Sequence, residues 1–201
     1  MGQLLYESEA TEVVRQLPKG PRLGVIGSSS FWGGDSRDIC GAVGAQLSQL
    51  EDLVLLTGGV PGVGEAVGRA FVEARRGATD WPTAYHLLPR GSSSWDYGVT
   101  LFCGSTMLDR REILGRLAGV YLAIEGGPGT AHEAQIVQSR GGVIIPVGRT
   151  GGFSAEIYNQ LEFPNPAVEA DWEKLNNGTA TVGQVAGAVR RIVESLLRPG
   201  G

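Results

Sequence analysis

The chain has 201 residues, 42% of them hydrophobic and 19% charged, which is typical of one folded α/β domain with a full hydrophobic core. The formal net charge of −4 and the pI near 5.3 argue against a broad nucleic-acid-binding surface. Glycine contributes 32 residues, about twice its usual share of roughly 7%, and without a Gly-X-Y period these glycines indicate loops and not collagen.

Apolar runs and helical periodicity alternate along the chain. In the first half, the predicted elements are an amphipathic helix over 4–17, a strand over 23–27, a helix from Asp35 or Ser36 to about residue 50, a strand over 53–57 and a helix over about 65–76. In the second half, they are strands over 84–88 and 99–103, a helix over 107–118, a strand over 120–124, a helix over 130–139, a strand over 142–147, a segment of unassigned structure over 154–161 and a helix over about 182–197.

This alternation predicts an α/β fold, a Rossmann-like, doubly wound parallel sheet in a single domain. The domain is expected to span 1–201, with residues 1–20 as an N-terminal helical extension and residues 178–201 as a C-terminal helix and tail. Neither a secretory signal nor an apolar stretch of about 18 residues is visible, so a cytoplasmic location is expected, with no membrane partner.

The glycine-rich loops all follow predicted strands, at the edge of the sheet where doubly wound folds bind ligands. The most informative loop spans 126–130, because glycine amides approach an anion closely and the next helix begins there. We expect Thr130 to cap that helix and Glu133 to lie in its first turn, facing the same opening. A phosphate-binding turn with an acidic side chain beside it indicates chemistry or ligand binding.

Several other classes of site are excluded by the residue types present. Cys40 and Cys103 match no metal-binding spacing and are expected to be buried, reduced thiols. With His86 and His132 as the two histidines, a zinc site is not expected, and no metal ligand is assigned. Neither a dinucleotide fingerprint nor a P-loop occurs, which argues against nucleoside triphosphate hydrolysis.

Three motifs follow one another along the chain. They are Gly58-Gly59-x-x-Gly62, Met107-x-x-Arg110-Arg111 and Gly126-Gly127-x-Gly129-Thr130-x-x-Glu133. Their order and spacing resemble those of the LOG superfamily, which includes cytokinin-activating phosphoribohydrolases, molybdenum cofactor carrier proteins and relatives long described as lysine decarboxylases. The resemblance covers roughly residues 23–148, which is most of the predicted sheet.

The resemblance implies that Arg110 and Glu133 are the catalytic pair of a phosphoribohydrolase. Such an enzyme hydrolyses the N-glycosidic bond of a nucleoside 5′-monophosphate, requires no cofactor and is a dimer or a larger homo-oligomer such as a tetramer. The candidate ligand- and phosphate-binding residues lie in three loops after strands: Gly27, Ser28, Gly58, Gly59, Gly62, Gly126, Gly127, Gly129 and Thr130.

Departures from the hydrolase pattern keep a second interpretation open. Glu125 replaces the proline that opens the third motif, His132 replaces a frequent second glutamate, and Arg111 replaces a lysine. The first loop also lacks the leucine-methionine ending common in the hydrolases. The alternative is a non-catalytic carrier that binds the molybdenum cofactor, a pterin, in the same loops. Glu125 would add negative charge beside the phosphate unless it points away or pairs with an arginine.

The sequence also suggests what the neighbours of the candidate site do. Of the adjacent Arg110 and Arg111, only one is expected to face the crevice, and the motif favours Arg110. Asp109 is expected to form a local ion pair with Arg110. Trp32 is interpreted as a packed surface aromatic in preference to a ring-stacking residue, and the serine-rich loop with Trp95 as a lid or linker.

Overall fold

The computed structural model describes residues 2–76, 84–162 and 166–197. Helices cover Gly2–Gln16 (α1), Ser36–Leu47 (α2), Val63–Ala74 (α3), Met107–Leu114 (α4), Pro128–Ser139 (α5), Gly152–Tyr158 (α6), Glu169–Lys174 (α7) and Val182–Leu197 (α8). Strands cover Arg22–Gly27 (β1), Val54–Thr57 (β2), Ala84–Leu88 (β3), Val99–Phe102 (β4), Val120–Ile124 (β5) and Val143–Val147 (β6). Short 3-10 turns cover Gly148–Thr150 and Pro166–Val168.

Within the described residues, the strands form one six-stranded, wholly parallel sheet in the order β4-β3-β2-β1-β5-β6. This confirms the Rossmann-like, doubly wound fold predicted from the sequence. Strands β2, β3 and β5 are buried along their whole length, as expected for parallel strands covered on both faces. The strand order reverses between β1 and β5, and the crevice of such a sheet opens at this position.

Helices cover both faces of the sheet. Side chains from α2, α3, α7 and α8 form one core with the sheet, and side chains from α1, α4, α5 and α6 form the other. Cys40 lies in the first core and Cys103 in the second, both buried and free as predicted. The amphipathic pattern of the helices therefore accounts for both apolar layers.

A close approach between β1 and β5 explains the glycine within β1. Gly24 pairs with Tyr121 of β5, and a Cβ at Gly24 would lie 2.1 Å from the Tyr121 ring. The buried phenol donates a hydrogen bond to the Leu114 carbonyl and accepts one from the Ala118 N–H at 3.1 Å. Gly24 thus makes room for an aromatic ring that ties β5 to the end of α4.

Several helix ends differ from the prediction. Helix α5 begins at Pro128, because proline already has the helical φ at the first position, and Gly127 is its N-cap. The prediction that Thr130 caps this helix is therefore wrong, and Glu133 lies in its second turn. Helix α4 ends at Leu114, with Gly115 as its C-cap.

Two further differences lie near the ends of the chain. Helix α7 was not predicted, since six residues are too few to show a clear period. The predicted C-terminal tail beyond residue 197 lies outside the described residues. In the parts of the chain that the structure describes, every helix is too short or too polar to cross a membrane.

Candidate functional site

A cleft of about 360 Å³ opens at the carboxyl ends of β1, β2 and β5. Its charged lining residues are two arginines and one glutamate, so it is positive within a chain of net charge −4. The following residues line it: Val25, Ile26, Gly27, Ser28, Ser29, Trp32, Gly58, Val60, Gly64, Met107, Arg110, Arg111, Gly127, Pro128, Gly129, Thr130 and Glu133.

A buried ion pair joins α4 to α5 at the wall of the cleft. Nη1 of Arg110 donates a hydrogen bond to Oε1 of Glu133 at 2.5 Å, and the two residues are only 3% and 5% exposed. The Nε of Arg110 is buried and has no hydrogen-bond partner among the described residues. The guanidinium therefore retains one donor that its protein surroundings leave unused.

Local hydrogen bonds fix the start of α4, the helix that carries Arg110. Thr106 and Asp109 form a capping box in which each side chain accepts a hydrogen bond from the other residue's N–H. Asp109 also accepts a hydrogen bond from the Tyr6 hydroxyl at 3.0 Å, which docks α1 on α4. The predicted ion pair between Asp109 and Arg110 is therefore wrong, because the Asp109 carboxylate turns back to cap its own helix.

The Glu133 carboxyl has a shifted pKa. Burial raises its pKa above the ordinary value, and the nearby Arg110 and Arg111 guanidinium groups oppose that rise without cancelling it. A carboxyl group in this environment binds a proton more readily than an exposed glutamate does. Such a group is suited to exchanging a proton with a ligand or with water.

Helix α5 directs its N-terminus into the cleft. The first-turn N–H groups of Gly129 and Thr130 have no partner within the helix, and no acidic side chain lies in that turn. The Arg111 guanidinium lies beside this turn, since a Cβ at Gly129 would be 2.8 Å from its Nη2. No hydrogen bond or ion pair involves the Arg111 side chain within the described parts of the chain. Together these groups favour an anion.

Glu125, next to the third glycine loop, points away from the cleft. Its carboxylate accepts hydrogen bonds from the Ser28 hydroxyl and from the N–H groups of Trp32 at 3.0 Å and Gly33 at 2.8 Å. Burial alone would raise the pKa of Glu125, but the hydrogen bonds from Gly33, Ser28 and other donors hold it below the ordinary value. The carboxylate therefore fastens the loop after β1 to the loop after β5.

A hydrogen-bond chain fixes the loop after β2. The Gly59 N–H donates to the Thr57 hydroxyl at 3.2 Å, and Thr57 Oγ1 lies 2.8 Å from Nδ1 of His86. The other ring nitrogen lies 3.0 Å from the Tyr97 carbonyl, an acceptor, so it carries the proton and Nδ1 accepts from Thr57. Burial, the largest cause, lowers the pKa of His86 to about 4, which keeps the ring neutral.

The Trp95 side chain also holds the loop after β2 in place. Its indole N–H donates a hydrogen bond to the Gly59 carbonyl at 2.9 Å, so both backbone groups of Gly59 are held. Its ring also lies 5.5 Å from the Arg69 guanidinium and near the Tyr97 ring. The interpretation of this loop as a lid or linker is therefore wrong at Trp95, because hydrogen bonding and ring packing fix the side chain in place.

A model of the SLOG cluster4 family matches residues 21–173, which include every strand described here and all residues that line the cleft. The chain belongs to the SLOG cluster4 family. Membership confirms the resemblance to the LOG superfamily that the three motifs indicated.

Solved structures place this SLOG cluster4 protein among similar folds. TM1055 is 27% identical with a TM-score of 0.59, over 71% of this chain and 82% of that one. The molybdenum cofactor carrier protein from Chlamydomonas reinhardtii is 20% identical with a TM-score of 0.56, over 88% and 99% of the two chains. The molybdenum cofactor binding protein from the phototrophic bacterium Rippkaea orientalis is 19% identical with a TM-score of 0.60, over 90% and 100%. No curated protein matches the chain.

Most of the candidate residues of this family member come together in the cleft. Those that line it are Gly27, Ser28, Gly58, Arg110, Gly127, Gly129, Thr130 and Glu133. Three glycines lie behind the lining: Gly59 against Leu88, Gly62 against the Ser28 carbonyl and Gly126 against Thr130. All three have positive φ, so their part in the site is to shape the loops.

Sequence reasoning missed other residues at the cleft. Arg111 lines it beside Arg110, so the expectation that only one arginine faces it is wrong. The missing side chain of Gly129 leaves room for the second guanidinium. Trp32 also lines the cleft; it is 58% exposed and one edge of its ring lies against Gly152, in keeping with a packed surface aromatic. Arg111 and Met107 lie within the second motif, which is a signal that could have indicated them.

Gly58 is predicted to tolerate no side chain in this SLOG cluster4 protein. A Cβ at Gly58 would lie 2.5 Å from Nη1 of the buried Arg110, so Gly58→Ala must displace the ion pair. We expect it to lower the free energy of unfolding by about 1–3 kcal/mol, measured by denaturant titration. Gly41→Ala is the control, because nothing lies within 4 Å of that Cβ. It should instead stabilise α2 by up to about 1 kcal/mol, and equal effects of the two changes would contradict the packing argument.

Proposed function

We propose that this protein binds a nucleoside 5′-monophosphate in the cleft and hydrolyses its N-glycosidic bond. The observation that carries the proposal is the buried Arg110–Glu133 pair in the same cleft as the N-terminus of α5. The volume of about 360 Å³ is within the usual range of small-molecule sites, about 300–1,000 Å³. A phosphate site and an acidic group are thus available to one small ligand.

The phosphate is assigned to the α5 end of the cleft. The N–H groups of Gly129 and Thr130 and the guanidinium of Arg111 offer donors and positive charge there. When the 5′-phosphate binds at this end, the binding energy of the phosphate positions the sugar, and with it the reacting carbon C1′. The Arg110–Glu133 pair then lies on the wall that the ribose faces.

The proposed reaction adds water across the bond between C1′ and the base. The C1′–N bond breaks with its electron pair passing to the base, and C1′ gains the character of an oxocarbenium ion. Glu133 stabilises that positive charge and accepts a proton from the attacking water, whose oxygen bonds to C1′. The proton passes to the departing base, and the products are free base and ribose 5-phosphate. Arg110 holds the Glu133 carboxylate in position.

The direct experiment is a panel of nucleoside 5′-monophosphates. The wild-type protein is incubated with the adenine, guanine, hypoxanthine, cytosine and uracil nucleotides, and free base and ribose 5-phosphate are quantified by chromatography. We expect equal amounts of both products from at least one nucleotide. Binding of the nucleotides without release of base from any of them would contradict hydrolysis.

A non-catalytic carrier is the second candidate, favoured by two observations. The molybdenum cofactor proteins from Chlamydomonas reinhardtii and Rippkaea orientalis match this chain over 99% and 100% of their own lengths. Glu125 also replaces the proline of the hydrolase motif and serves to fasten two loops. The carrier hypothesis predicts that the protein slows oxidation of bound molybdenum cofactor and releases no base.

A further inference from the structure

Trp32 is a large aromatic side chain at the mouth of the cleft. It follows β1 in the loop that contains Ser28, and 58% of its surface is exposed. Its backbone is nevertheless fixed, because its N–H and that of Gly33 both donate to the buried Glu125 carboxylate. The indole thus belongs to an anchored loop and is held at the opening.

Two glycines at the starts of α5 and α6 lie against one edge of the indole. A Cβ at Gly152 would lie 2.7 Å from Cζ3, and a Cβ at Gly127 would lie 3.5 Å from Cη2. Gly152 has a φ of +58°, a conformation that side-chain-bearing residues rarely adopt. The six-membered ring therefore packs against the backbone at the N-terminal ends of α5 and α6, and much of the remaining side chain is exposed.

The Trp32 ring lies next to the N-terminus of α5, and this position restricts which part of a ligand the ring can contact. Gly127 is the N-cap of α5, so the indole edge lies next to the turn whose Gly129 and Thr130 N–H groups are assigned to phosphate. A phosphorylated ligand held there extends its organic part through a cleft of which Trp32 is one wall. An exposed indole contributes the most binding free energy when the ligand has a flat ring, because stacking buries apolar area on both partners.

We propose that Trp32 is the stacking wall of this site and selects ligands in which a phosphate is joined to a planar, fused nitrogen heterocycle. This inference rests on the proposed phosphate site and adds the residue that distinguishes ligands by their ring. Purine nucleotides and pterin phosphates share that chemistry, whereas simple sugar phosphates lack the ring. Trp32 is thus a specificity residue, and the phosphate contacts supply affinity common to all these ligands.

The test compares ligands with and without the ring. Dissociation constants are measured by calorimetry for ribose 5-phosphate and for the carbocyclic analogue of adenosine 5′-monophosphate, which cannot be hydrolysed at C1′. Neopterin monophosphate is the pterin probe. We expect Trp32→Ala to weaken the ring-bearing ligand by about 10-fold and to leave ribose 5-phosphate unchanged. Trp32→Phe should retain most of the affinity, since phenylalanine still stacks.

A neighbouring aromatic provides the matched control. Phe31 lies on the same loop, but its ring packs under the Arg37 guanidinium at 4.7 Å and does not line the cleft. Phe31→Ala should leave the affinity ratio of the two ligands unchanged. Quenching of tryptophan fluorescence on binding gives an independent readout: Trp32→Phe should remove most of the quenching while binding persists.

The outcomes separate this inference from the proposed function. If both classes of ligand bind and Trp32→Ala changes neither affinity, or changes both equally, Trp32 does not select the ring and the phosphate site stands. If no phosphorylated ligand binds the wild-type protein, the proposed function fails and this inference with it. If Trp32→Ala weakens the binding of neopterin monophosphate and of no other ligand tested, stacking is supported and the pterin is identified as the source of the ring.

Discussion

Glu133→Gln is expected to lower the rate of base release from nucleoside 5′-monophosphates by about 10³-fold. Glutamine keeps the shape of the side chain and can still accept a hydrogen bond from Arg110, but it can neither take a proton from water nor balance positive charge at C1′. The phosphate contacts of Gly129, Thr130 and Arg111 are untouched by the change. Nucleotide affinity should therefore fall far less than the rate, and the effect should appear in kcat.

Folding must be measured beside this rate, because the pair is buried. Removing the charge of Glu133 leaves the Arg110 guanidinium without its counter-ion, and breaking buried pairs typically costs about 3–5 kcal/mol. Thermal unfolding and near-UV circular dichroism establish that the variant assayed is folded. Glu112→Gln is the control, since Glu112 pairs with Arg116 and His132 outside the cleft. A folded Glu133→Gln protein with nearly wild-type turnover would remove Glu133 from the proposed chemistry.

Glu125→Ala is expected to destabilise the protein by about 3 kcal/mol or more, because three donors lose their acceptor at once. These donors are the Ser28 hydroxyl and the N–H groups of Trp32 and Gly33. Glu125 also has a φ of 54°, a conformation that alanine does not favour either. Denaturant titration measures the change. A loss of less than about 1 kcal/mol would mean that the carboxylate does not hold the loops together.

The lowered pKa of the Glu125 carboxylate predicts that the stability of the protein depends on pH. The folded pKa of Glu125 is below the unfolded one, so its contribution is present above the unfolded pKa and is lost as the pH falls through the folded value. Wild-type stability should therefore decline in acid, in the range below the ordinary glutamate pKa. Glu125→Gln should flatten that part of the profile of unfolding free energy against pH. An unchanged profile would contradict the assignment of a lowered pKa.

Much of the fold could be predicted because buried parallel strands appear in the sequence as short apolar runs. The buried runs of β3 and β5 were predicted with the bounds that the structure has, since both are short apolar segments ended by glycine, proline or polar residues. The pairing of Arg110 with Glu133 followed from motif positions. These features are local, or depend on an order of elements that a doubly wound sheet imposes.

The remaining features depend on contacts between distant segments. Whether Glu125 faces the cleft depends on the N–H groups of Trp32 and Gly33, over ninety positions earlier in the chain. Arg111 reaches the cleft because Gly129, on another helix, has no side chain. Neither relation leaves a periodic pattern, so the sequence alone left open whether Glu125 faces the phosphate and predicted a single arginine in the cleft.

A crystal structure with the carbocyclic analogue of adenosine 5′-monophosphate bound tests the central claim most directly. We expect phosphate oxygens within hydrogen-bond distance of the Gly129 and Thr130 N–H groups, the carbocycle beside Glu133 and the purine against Trp32. A phosphate bound elsewhere on the protein, with the N-terminus of α5 making no contact to the analogue, would contradict the account.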